Sequence, residues 1–417
     1  MKIAVIGAGI IGVTTAYELA CDGHEVTVLE RRGAAAEEGS FANAGIVAVG
    51  DIAAWTAPGM PGKLIQQLFS RSAPMKVGLP LSGRELAWLW RWRRACKLDA
   101  FSANRIHMLG LAYYSRERLR HITAELKLEY ERSNGQMVLL RSEQDSKRVQ
   151  GGLQMLRDAG VTFMELNAAD TRKIESGLNP DAPLFGAICM PDDEVGNCRQ
   201  FALLLKNEAQ RIGVNFLFNT TVTQVVPSAG IALGIAGDPT PHAYDAAVMC
   251  AGLDSTRLLD ALGLKIPLIA VHGYSISAAI REPLSAPCSA VMDERYKVAI
   301  SRFGNRVRVA GCAEIGGLAD KKRAGALQTL YKVLHDWFPG AANLSMGVQE
   351  WKGARPMLPD GPPVLGPSGL PGLWLNLGHG ASGWGLSCGS ARVLADLMGG
   401  RAPDLDVGGF GVGRLHI

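Results

Sequence analysis

The sequence predicts a two-domain fold in which an α/β domain carries an inserted α+β domain. Its 417 residues exceed what a single core usually holds, and 47% apolar against 20% charged residues indicate packed globular domains. The chain begins with a strand, a glycine-rich turn, a helix and a second strand, which is the pattern of a Rossmann-type parallel sheet. From about residue 266 to about residue 350, alternating residues and turns such as Gly304-Asn305 indicate antiparallel strands.

The composition argues against several classes of function. A formal charge of +4, from 43 basic and 39 acidic side chains, gives no reason to expect a nucleic-acid partner. The eight cysteines include no C-x-x-C pair, so we expect no metal site, and their apolar surroundings predict free thiols in a reducing cytoplasm. No run of 18 apolar residues occurs, and glycines interrupt the apolar N-terminus, so neither a transmembrane helix nor a signal peptide is expected.

The opening stretch predicts a binding site for a dinucleotide. Ile3–Ile6 has the pattern of a buried strand, and the G-x-G-x-x-G motif from Gly7 to Gly12 leads into a helix over Ile11–Cys21. The first glycine permits the sharp turn, Gly9 lets a pyrophosphate approach the backbone, and the third lets the helix pack against the strand. The free N–H groups and the dipole end of this helix would then face the phosphates.

A carboxylate follows the second strand of this unit. Glu25–Leu29 is the expected strand, and Glu30 comes directly after it, 18 residues after Gly12. An acid at that place accepts hydrogen bonds from a ribose diol and repels a 2′-phosphate, which argues against NADP. The unit by itself fits FAD or NAD. Its position at the N-terminus, together with a second glycine-rich strand, turn and helix over residues 373–398, favours FAD.

Residues 60–130 predict an inserted group of helices, with the longest over Ser102–Lys127. Within this group, RELAWLWRWRRACK at residues 84–97 alternates tryptophan with arginine, and residues 84–105 hold six basic and two acidic side chains. Such a stretch can lie on an anionic membrane surface. It can equally be a helix that packs on the core with its arginines in water, and the sequence leaves both interpretations open.

The remaining pattern predicts alternating short strands and helices. The strands are expected at residues 135–140, 187–190, 214–218, 220–226, 246–252, 268–278, 298–302 and 306–311, and the helices at 151–159, 168–174, 199–212 and 324–338. The strand over residues 246–252 ends in small residues, which in a Rossmann-type sheet lie beside the cofactor.

Six stretches along the chain resemble one family of flavoproteins. They are GAGIIGVTTAYELACDGHEVTVLE, SFANAG, HGYSIS, DERYKVAISRF, GARPMLPDG and LNLGHGASGWGLSCGSA. In this order they resemble the D-amino acid oxidase superfamily, and within it the small subunits of bacterial D-amino acid dehydrogenases, over nearly the whole chain. The resemblance implies a D-amino acid oxidase-like fold. A FAD-binding domain would be assembled from residues 1–60, 195–265 and 355–417, and a substrate-binding domain from residues 61–194 and 266–354.

The resemblance also implies a set of residues around FAD. In chain order they are Gly7, Ala8, Gly9, Ile10, Ile11, Gly12, Glu30, Arg31, Ser40, Asn43, Ala44, Gly45, Val222, Ala251, Gly252, Gly378, His379, Gly380, Ser382, Gly383 and Trp384. The glycine turn would bind the pyrophosphate, Glu30 the ribose, and the Val222 backbone the adenine. Residues 43–45 would line the isoalloxazine, residues 251–252 would flank the cofactor, and residues 378–383 would face the pyrimidine edge of the flavin.

For the substrate, the resemblance implies roles for Arg355 and Tyr274. An α-carboxylate needs a planar partner with two donors, and Arg355 offers one in what has the pattern of a polar turn between Gly353 and Pro356. A structural salt bridge is the alternative for Arg355, and a place in the core is the alternative for Tyr274. We expect His379 to contribute its backbone and not a base, because hydride loss from Cα needs only orientation and a deprotonated amine.

The implied function is FAD-dependent oxidative deamination of D-amino acids to 2-oxo acids and ammonia, with electrons passed to a quinone-type acceptor. Alternatives of the same fold are an oxidase that forms hydrogen peroxide and a dehydrogenase of a secondary amine such as proline, hydroxyproline or sarcosine. A NAD-dependent dehydrogenase and a non-catalytic flavoprotein are alternatives of other classes. We expect a cytoplasmic protein, peripheral on the inner face of the cell membrane if residues 84–97 bind lipid. Gly39 stands where the family pattern has threonine.

Overall fold

The computed structural model describes residues 1–50, 54–67, 73–228, 230–318 and 320–415. Nineteen strands lie in these ranges. They are β1 (Lys2–Ile6), β2 (Glu25–Leu29), β3 (Ile46–Val47), β4 (Met75–Gly78), β5 (Ser133–Leu140), β6 (Met164–Asn167), β7 (Gly186–Val195), β8 (Asn215–Leu217), β9 (Val222–Pro227), β10 (Ile231–Ile235), β11 (Asp238–Tyr244), β12 (Ala246–Met249), β13 (Ile269–Ala279), β14 (Ala290–Asp293), β15 (Val298–Phe303), β16 (Arg306–Gly316), β17 (Gln349–Met357), β18 (Val364–Pro367) and β19 (Leu373–Leu377).

Ten α-helices lie in the same ranges. They are α1 (Ile10–Cys21), α2 (Met60–Gln67), α3 (Gly83–Ala95), α4 (Leu98–Leu126), α5 (Glu143–Asp158), α6 (Ala168–Ile174), α7 (Cys198–Arg211), α8 (Ser255–Asp260), α9 (Ala324–Trp337) and α10 (Gly383–Met398). Short 3-10 turns at Gly252–Asp254 and Gly380–Ser382 precede α8 and α10. None of the helices in the described ranges has the length and apolar character needed to span a bilayer.

The first sheet has the strand order β18-β19-β12-β1-β2-β8. β1 pairs in parallel with β2 on one side and with β12 on the other, so the opening unit of the sequence lies at the centre of the sheet. Ile3 and Val5 pack with α1 and α7, whereas Ala4 and Ile6 pack with the small antiparallel sheet β9-β10-β11. Both faces of β1 are therefore buried, which explains its unbroken apolar run.

The second large sheet has the order β17-β13-β16-β15-β14-β5-β7-β3, with β4 paired to β16 and β6 paired to β7. Most of its neighbouring strands are antiparallel, including β13 with β16 and with β17. Side chains of α9 pack on one face of this sheet, and those of α3 pack on the other. The prediction of an α/β part and an α+β part is confirmed, and β17 forms an edge of the second sheet.

Three strands of the second sheet do not keep to the domain limits that the sequence predicts. β7 ends at Val195, one residue past the limit between residues 194 and 195. β3 lies within residues 1–60 but pairs with β7 of the second sheet. β17 runs across the limit between residues 354 and 355, so Arg355 lies on the second sheet. The first sheet draws all its strands from residues 2–29, 215–249 and 364–377. The residue limits of the two domains stay a prediction.

The long helix α4 begins at Leu98, earlier than the sequence predicts, packs on α10, and shares a core cluster with α1 through Leu119 and Ile122. A buried charge cluster joins the three helices. Glu18 of α1 accepts hydrogen bonds from Arg118 of α4 at 2.6 Å and from Arg392 of α10 at 2.8 Å. The Glu18 carboxylate is fully buried, so these two cations must offset the free-energy cost of removing its charge from water. The inserted helices are thereby fixed to the helices of the first sheet.

The tryptophan–arginine stretch divides between core and surface. α3 buries Trp88 and Trp92, and their indole N–H groups donate to the carbonyls of Met357 at 3.0 Å and Trp55 at 2.9 Å. Trp90 is 60% exposed, and the Arg94 guanidinium lies 4.8 Å from its ring. Two of the three tryptophans are therefore part of the core, and the third lies on the surface.

Candidate functional site

In the turn between β1 and α1, two of the three motif glycines, Gly7 and Gly12, have no room for a side chain. Gly7 has a φ of +104°, and a Cβ on Gly12 would lie 1.9 Å from the Gly7 carbonyl oxygen. A Cβ on Gly9, by contrast, would have Ser40 Oγ, at 3.6 Å, as its nearest neighbour in the described chain. No side chain caps α1 from Gly9. Apart from the N–H of Ile10, which donates to Ser40 Oγ, the first N–H groups of α1 therefore adjoin open space that suits a pyrophosphate.

Glu30 and Ser40 fix the conformation of this turn. The Glu30 carboxylate accepts hydrogen bonds from the backbone N–H groups of Ala8 at 2.7 Å and Arg32 at 2.8 Å, one on each oxygen. Ser40 Oγ accepts from the N–H of Ile10 at 3.0 Å. Each carboxylate oxygen keeps a second lone pair, so Glu30 can accept from a ribose hydroxyl without losing these bonds.

The chain that follows β12 lies beside the glycine turn. A Cβ on Gly7 would lie 2.7 Å from the Cys250 carbonyl oxygen and 3.1 Å from Ala251 Cα. Gly252 has a φ of +55° and begins the 3-10 turn that leads to α8. The structure therefore brings Ala251 and Gly252 to the phosphate end of the predicted cofactor site.

Two other predicted cofactor residues already have partners in the protein. Arg31 pairs with Glu38 at 2.5 Å and also with Asp254, so it joins two loops. Val222 is the first residue of β9, and its carbonyl oxygen accepts a hydrogen bond from Arg257 at 3.0 Å. The predicted contacts of Arg31 and Val222 with FAD stay predictions.

The loop at residues 43–45 is held by donors from three separate elements. The accepting carbonyl groups and their donors are Asn43 with Arg308 at 3.0 Å, Ala44 with the Ser301 hydroxyl at 2.8 Å, and Gly45 with the Trp384 indole at 3.1 Å. Gly45 has a φ of +75°, and a Cβ there would lie 2.3 Å from the Phe303 ring. With these carbonyls engaged, the loop is a fixed surface of small residues, which suits a flat ring.

The turn from Gly378 to Gly383 is similarly crowded. A Cβ on Gly378 would lie 2.4 Å from Leu358, and one on Gly380 would lie 2.4 Å from the Met357 sulfur. Both glycines have positive φ, at +80° and +57°. Ser382 supplies no side-chain cap to α10. The N-terminus of α10 therefore directs its dipole at this turn, where it would stabilise negative charge.

His379 lies in the same turn and is buried. Its Nε2 lies 2.9 Å from the Ser390 hydroxyl, and burial lowers the pKa of His379 to about 3. Its ring therefore stays neutral at physiological pH and is already hydrogen-bonded. Its backbone forms a bridge with Met357 of β17. These contacts support a contribution from the His379 backbone and not from its ring.

Arg355 lies on the edge strand β17, so the prediction that it lies in a polar turn is wrong. It pairs with Val271 of β13. Gly353 and Pro356 gave the stretch its turn-like pattern. An edge strand accepts a proline because one side of the strand needs no hydrogen-bond donor.

The Arg355 guanidinium has no acidic partner among the described residues. Its Nη1 donates to the Cys312 carbonyl at 3.4 Å, and no carboxylate of the described chain lies within ion-pair distance. Burial lowers the pKa of Arg355, yet its side chain keeps some exposure and so borders open space. A fork of N–H donors in such a place is suited to bind a carboxylate.

Two glycines form the floor beneath this guanidinium. Gly273 and Gly353 are directly paired across β13 and β17. A Cβ on Gly273 would lie 2.4 Å from the Arg355 guanidinium, and one on Gly353 would lie 1.7 Å from the Trp351 indole. The guanidinium and the indole therefore lie side by side on the sheet. Cys312, at the bulge of β16, has a φ of +56°, and its carbonyl meets Arg355.

Tyr274 faces the other side of the sheet. It follows Gly273, and successive side chains of a strand point to opposite faces. There its ring packs with α9 and its hydroxyl donates to the Glu314 carboxylate. Burial, together with Glu314, raises the pKa of Tyr274. The structure therefore does not bring the Tyr274 hydroxyl to the face that carries Arg355.

The edge strand β17 brings the predicted cofactor and substrate residues together. A Cβ on Gly39 would lie 3.0 Å from the Ala354 carbonyl oxygen. β17 also contacts the 3-10 turns that begin at Gly252 and Gly380. The region holds backbone N–H groups at the start of α1, the Glu30 carboxylate, a fixed loop surface at residues 43–45 and the N-terminus of α10. This set of donors and acceptors fits FAD.

Sequence reasoning missed four residues of this region: Arg308, Ser301, Gly273 and Cys312. Two of them carried a signal in the pattern. Gly273 interrupts the apolar pattern of IAVHGYSIS, and Arg308 is a charge inside the strand RVRVAG. A glycine or a charge inside a strand often marks a close approach or a buried contact. Ser301 and Cys312 carried no such signal.

A family model described as FAD dependent oxidoreductase matches residues 2–397 of the chain. A relative named D-amino acid dehydrogenase, from Rhodopseudomonas palustris (strain HaA2), is 40% identical over 418 residues and covers 100% of this chain and 98% of the relative. A relative of the same name from Bradyrhizobium diazoefficiens is 40% identical over 416 residues and covers 99% of each chain.

A solved structure shows the same fold. The crystal structure of glycine oxidase from Geobacillus kaustophilus matches with a TM-score of 0.76 at 22% identity. The match covers 99% of this chain and 98% of that one. At 22% identity the match shows the fold, including the arrangement of the two large sheets, and does not identify the substrate.

Proposed function

Because the chain belongs to the FAD-dependent oxidoreductase family, we propose that it is a D-amino acid dehydrogenase. The reaction converts a D-amino acid to an imino acid, which water hydrolyses to a 2-oxo acid and ammonia. Bound FAD supplies the acceptor, at N5, for the hydride that leaves Cα. Two relatives of that name, similar over nearly their full lengths, support the proposal.

The Arg355 guanidinium is the observation that carries the proposal. It is a cation without an acidic partner in the described chain, placed where the segments after β2, β12 and β19 meet β17. A substrate α-carboxylate supplies the missing partner through two parallel hydrogen bonds. The floor of Gly273 and Gly353 lets the guanidinium lie close to the sheet, and so sets the height above the sheet at which the carboxylate binds.

The same guanidinium disfavours a charged substrate amine. An ammonium group close to a buried cation has a lowered pKa, and the neutral amine is the form that can lose hydride from Cα. We therefore expect kcat/KM to rise with pH until the amine is fully neutral. A stopped-flow measurement of flavin reduction against pH checks this. A fall of the rate with rising pH across the neutral range would contradict it.

An anaerobic screen of D- and L-amino acids against flavin absorbance tests the activity. We expect D-amino acids to bleach the flavin and L-amino acids to leave it oxidised. Arg355→Lys keeps the charge but loses the fork, and Arg355→Leu loses both. We expect kcat/KM to fall by about 100-fold in Arg355→Lys and by more than about 1,000-fold in Arg355→Leu. The FAD content should be unchanged in both variants. Bleaching by proline or sarcosine instead would favour the secondary-amine alternative.

We propose that the electrons pass to a quinone-type acceptor and not to oxygen. A soluble quinone analogue should restore the bleached flavin rapidly. Air alone should restore it slowly, with little peroxide. Stoichiometric peroxide at turnover in air, without added acceptor, would favour the oxidase alternative.

We also propose that the surface of α3 and α4 contacts an anionic membrane. Four large apolar side chains on it are at least half exposed: Leu86 at 55%, Trp90 at 60%, Leu98 at 65% and Ile106 at 70%. Arg93, Arg94 and Lys97 are exposed among them. Apolar side chains with a basic surround are typical of helices that lie at an anionic interface.

Sedimentation with vesicles tests this contact. The protein should bind phosphatidylglycerol vesicles and not phosphatidylcholine vesicles, and Trp90→Ser should reduce the bound fraction without changing Tm. Trp88→Ser is the matched control on the buried face, and it should destabilise the fold by about 3–5 kcal/mol. If the unchanged protein does not bind the anionic vesicles, the membrane proposal is wrong and the activity proposal is unaffected.

A further inference from the structure

Arg308 of β16 is a buried cation that the proposed reaction does not use. Its side chain is 6% exposed. Its Nε donates to the Ser277 hydroxyl at 2.9 Å, its Nη1 donates to the Asn43 carbonyl at 3.0 Å, and its guanidinium lies 4.9 Å from the Phe303 ring. Both of its hydrogen-bond partners are neutral. Arg308 therefore contacts the loop at residues 43–45 directly.

No acid neutralises this charge in the part of the chain that the structure describes. Glu131 is the nearby candidate, but it pairs with Arg306 at 2.8 Å and accepts from Asn197 at 2.6 Å. Burial lowers the pKa of Arg308 to about 10, so the guanidinium is still protonated at neutral pH. Buried charges in proteins are normally paired. An unpaired one is costly and requires another explanation.

The loop that Arg308 contacts is one proposed to line the isoalloxazine. Three successive carbonyls of the loop are engaged by Arg308, Ser301 and Trp384. Ser301 and Trp384 hold their carbonyls with neutral donors. Holding the loop therefore does not require a full positive charge at the position of Arg308. A positive charge there does, however, act on whatever lies against the other side of the loop, because the intervening protein screens it weakly.

We propose that Arg308 tunes the bound FAD through this loop, by stabilising the negative charge that reduction places on the flavin. Hydride transfer brings two electrons and one proton, so a neutral ring gains one negative charge. The reduced form is then favoured, and the midpoint potential of the flavin rises. This inference depends on the proposed function, because it requires FAD against residues 43–45. Arg308 acts as a positioning and charge-tuning residue that need not touch the substrate.

Substitutions at Ser277 test the inference without removing Arg308. Ser277→Asp places a carboxylate beside the guanidinium and neutralises it, whereas Ser277→Asn is a neutral control of the same size. In Ser277→Asp and in Arg308→Gln we expect the two-electron midpoint potential to fall by at least about 30 mV, a tenfold change in the equilibrium constant. Sulfite, which adds to N5 and leaves negative charge on the ring, should bind at least about tenfold more weakly in both. The potential is measured by reductive titration with a reference dye.

Three further variants separate charge from structure. Ser277→Asn and Arg308→Lys should keep the potential of the unchanged protein. Arg306→Lys should keep it too, because it retains a cation beside Glu131 at a position two residues away that is 45% exposed at its side chain. An unchanged potential in FAD-loaded Ser277→Asp would overturn the inference, as would an equal fall in Ser277→Asn. Neither measurement requires an amino acid, so failure here is distinct from failure of the D-amino acid screen.

Discussion

The glycine turn after β1 and the glycine floor beneath Arg355 both depend on a missing Cβ, but they are built differently. In the turn, backbone meets backbone, because a Cβ on Gly12 would lie 1.9 Å from the Gly7 carbonyl oxygen. On the floor, backbone meets side chain, because a Cβ on Gly273 would lie 2.4 Å from the Arg355 guanidinium. The backbone cannot move aside, whereas a guanidinium can rotate. The contact at Gly12 therefore determines whether the glycine turn can form. The contact at Gly273 determines where the Arg355 guanidinium binds its ligand.

The two regions also bind negative groups by different means. The turn offers the partial charges of N–H groups at a helix N-terminus, and Glu30 stabilises it through hydrogen bonds to Ala8 and Arg32. The second sheet offers two full charges, Arg355 and Arg308, without acidic partners in the described chain. Partial charges cost little to bury, and full charges cost more. The diphosphate site is therefore stable without a bound ligand. The second sheet, by contrast, is stabilised by each negative group that binds close to Arg355 or Arg308.

Gly12→Ala should have the largest effect of the glycine substitutions in these regions. Its Cβ would overlap a backbone oxygen that no rotamer can move, so α1 must separate from β1. We expect a destabilisation of about 3 kcal/mol or more and loss of FAD from the purified protein. Thermal unfolding and the flavin absorbance of the purified protein measure the two effects.

Gly9→Ala is the matched control for this change. Its Cβ would meet Ser40 Oγ only at 3.6 Å, so the fold should tolerate it, while the new methyl group blocks the approach of the pyrophosphate. We expect a nearly unchanged Tm for the FAD-free protein and a large loss of FAD. If both variants keep FAD, the phosphate site lies elsewhere.

Gly273→Ala should leave FAD bound and displace the Arg355 guanidinium instead. A displacement of about 1 Å in a group that orients substrate lowers kcat/KM by about 100-fold. The loss should appear mainly in KM, because the carboxylate contact is made before hydride transfer. Steady-state kinetics with the best D-amino acid, beside the FAD content, measures it. Unchanged kinetics would mean that Arg355 does not hold the substrate.

The contrast between the two regions also explains how far the sequence could predict them. β1, α1 and β2 agree with the sequence prediction within one residue at each end, because their signals are local. β17 was missed, since its partner β13 lies about 80 residues earlier and only the pairing register reveals it. The contact of Arg355 with Gly273 follows from that register. Arg308 could be noticed in its strand, but its partner Asn43 lies in a distant loop.

The tryptophan stretch shows a signal that was present and not used. Trp88 and Trp92 are four residues apart, so a helix places them on one face, and Trp90 falls on the other. Helical spacing alone predicts that the pair lies on one face and the single ring on the other, and in the structure the pair is the buried one. It does not predict which face is buried, because all three residues are tryptophan.

Gly110→Ala should have the smallest effect, and one of opposite sign. Gly110 lies within α4, is exposed, and a Cβ there would meet no atom of the described chain within 4 Å beyond its chain neighbours and the backbone of its own helical turns. Alanine restricts the unfolded chain and favours the helix, so we expect stabilisation by roughly 0.5–1 kcal/mol, with FAD content and kinetics unchanged. Thermal unfolding of the purified protein measures this. If Gly110→Ala instead lowers Tm as Gly12→Ala does, then adding a methyl group is harmful at any helical glycine of this protein, and the distinction between crowded and open glycines fails. If it raises Tm while Gly273→Ala changes only kinetics, the three glycines separate folding, substrate orientation and intrinsic helix propensity within one protein.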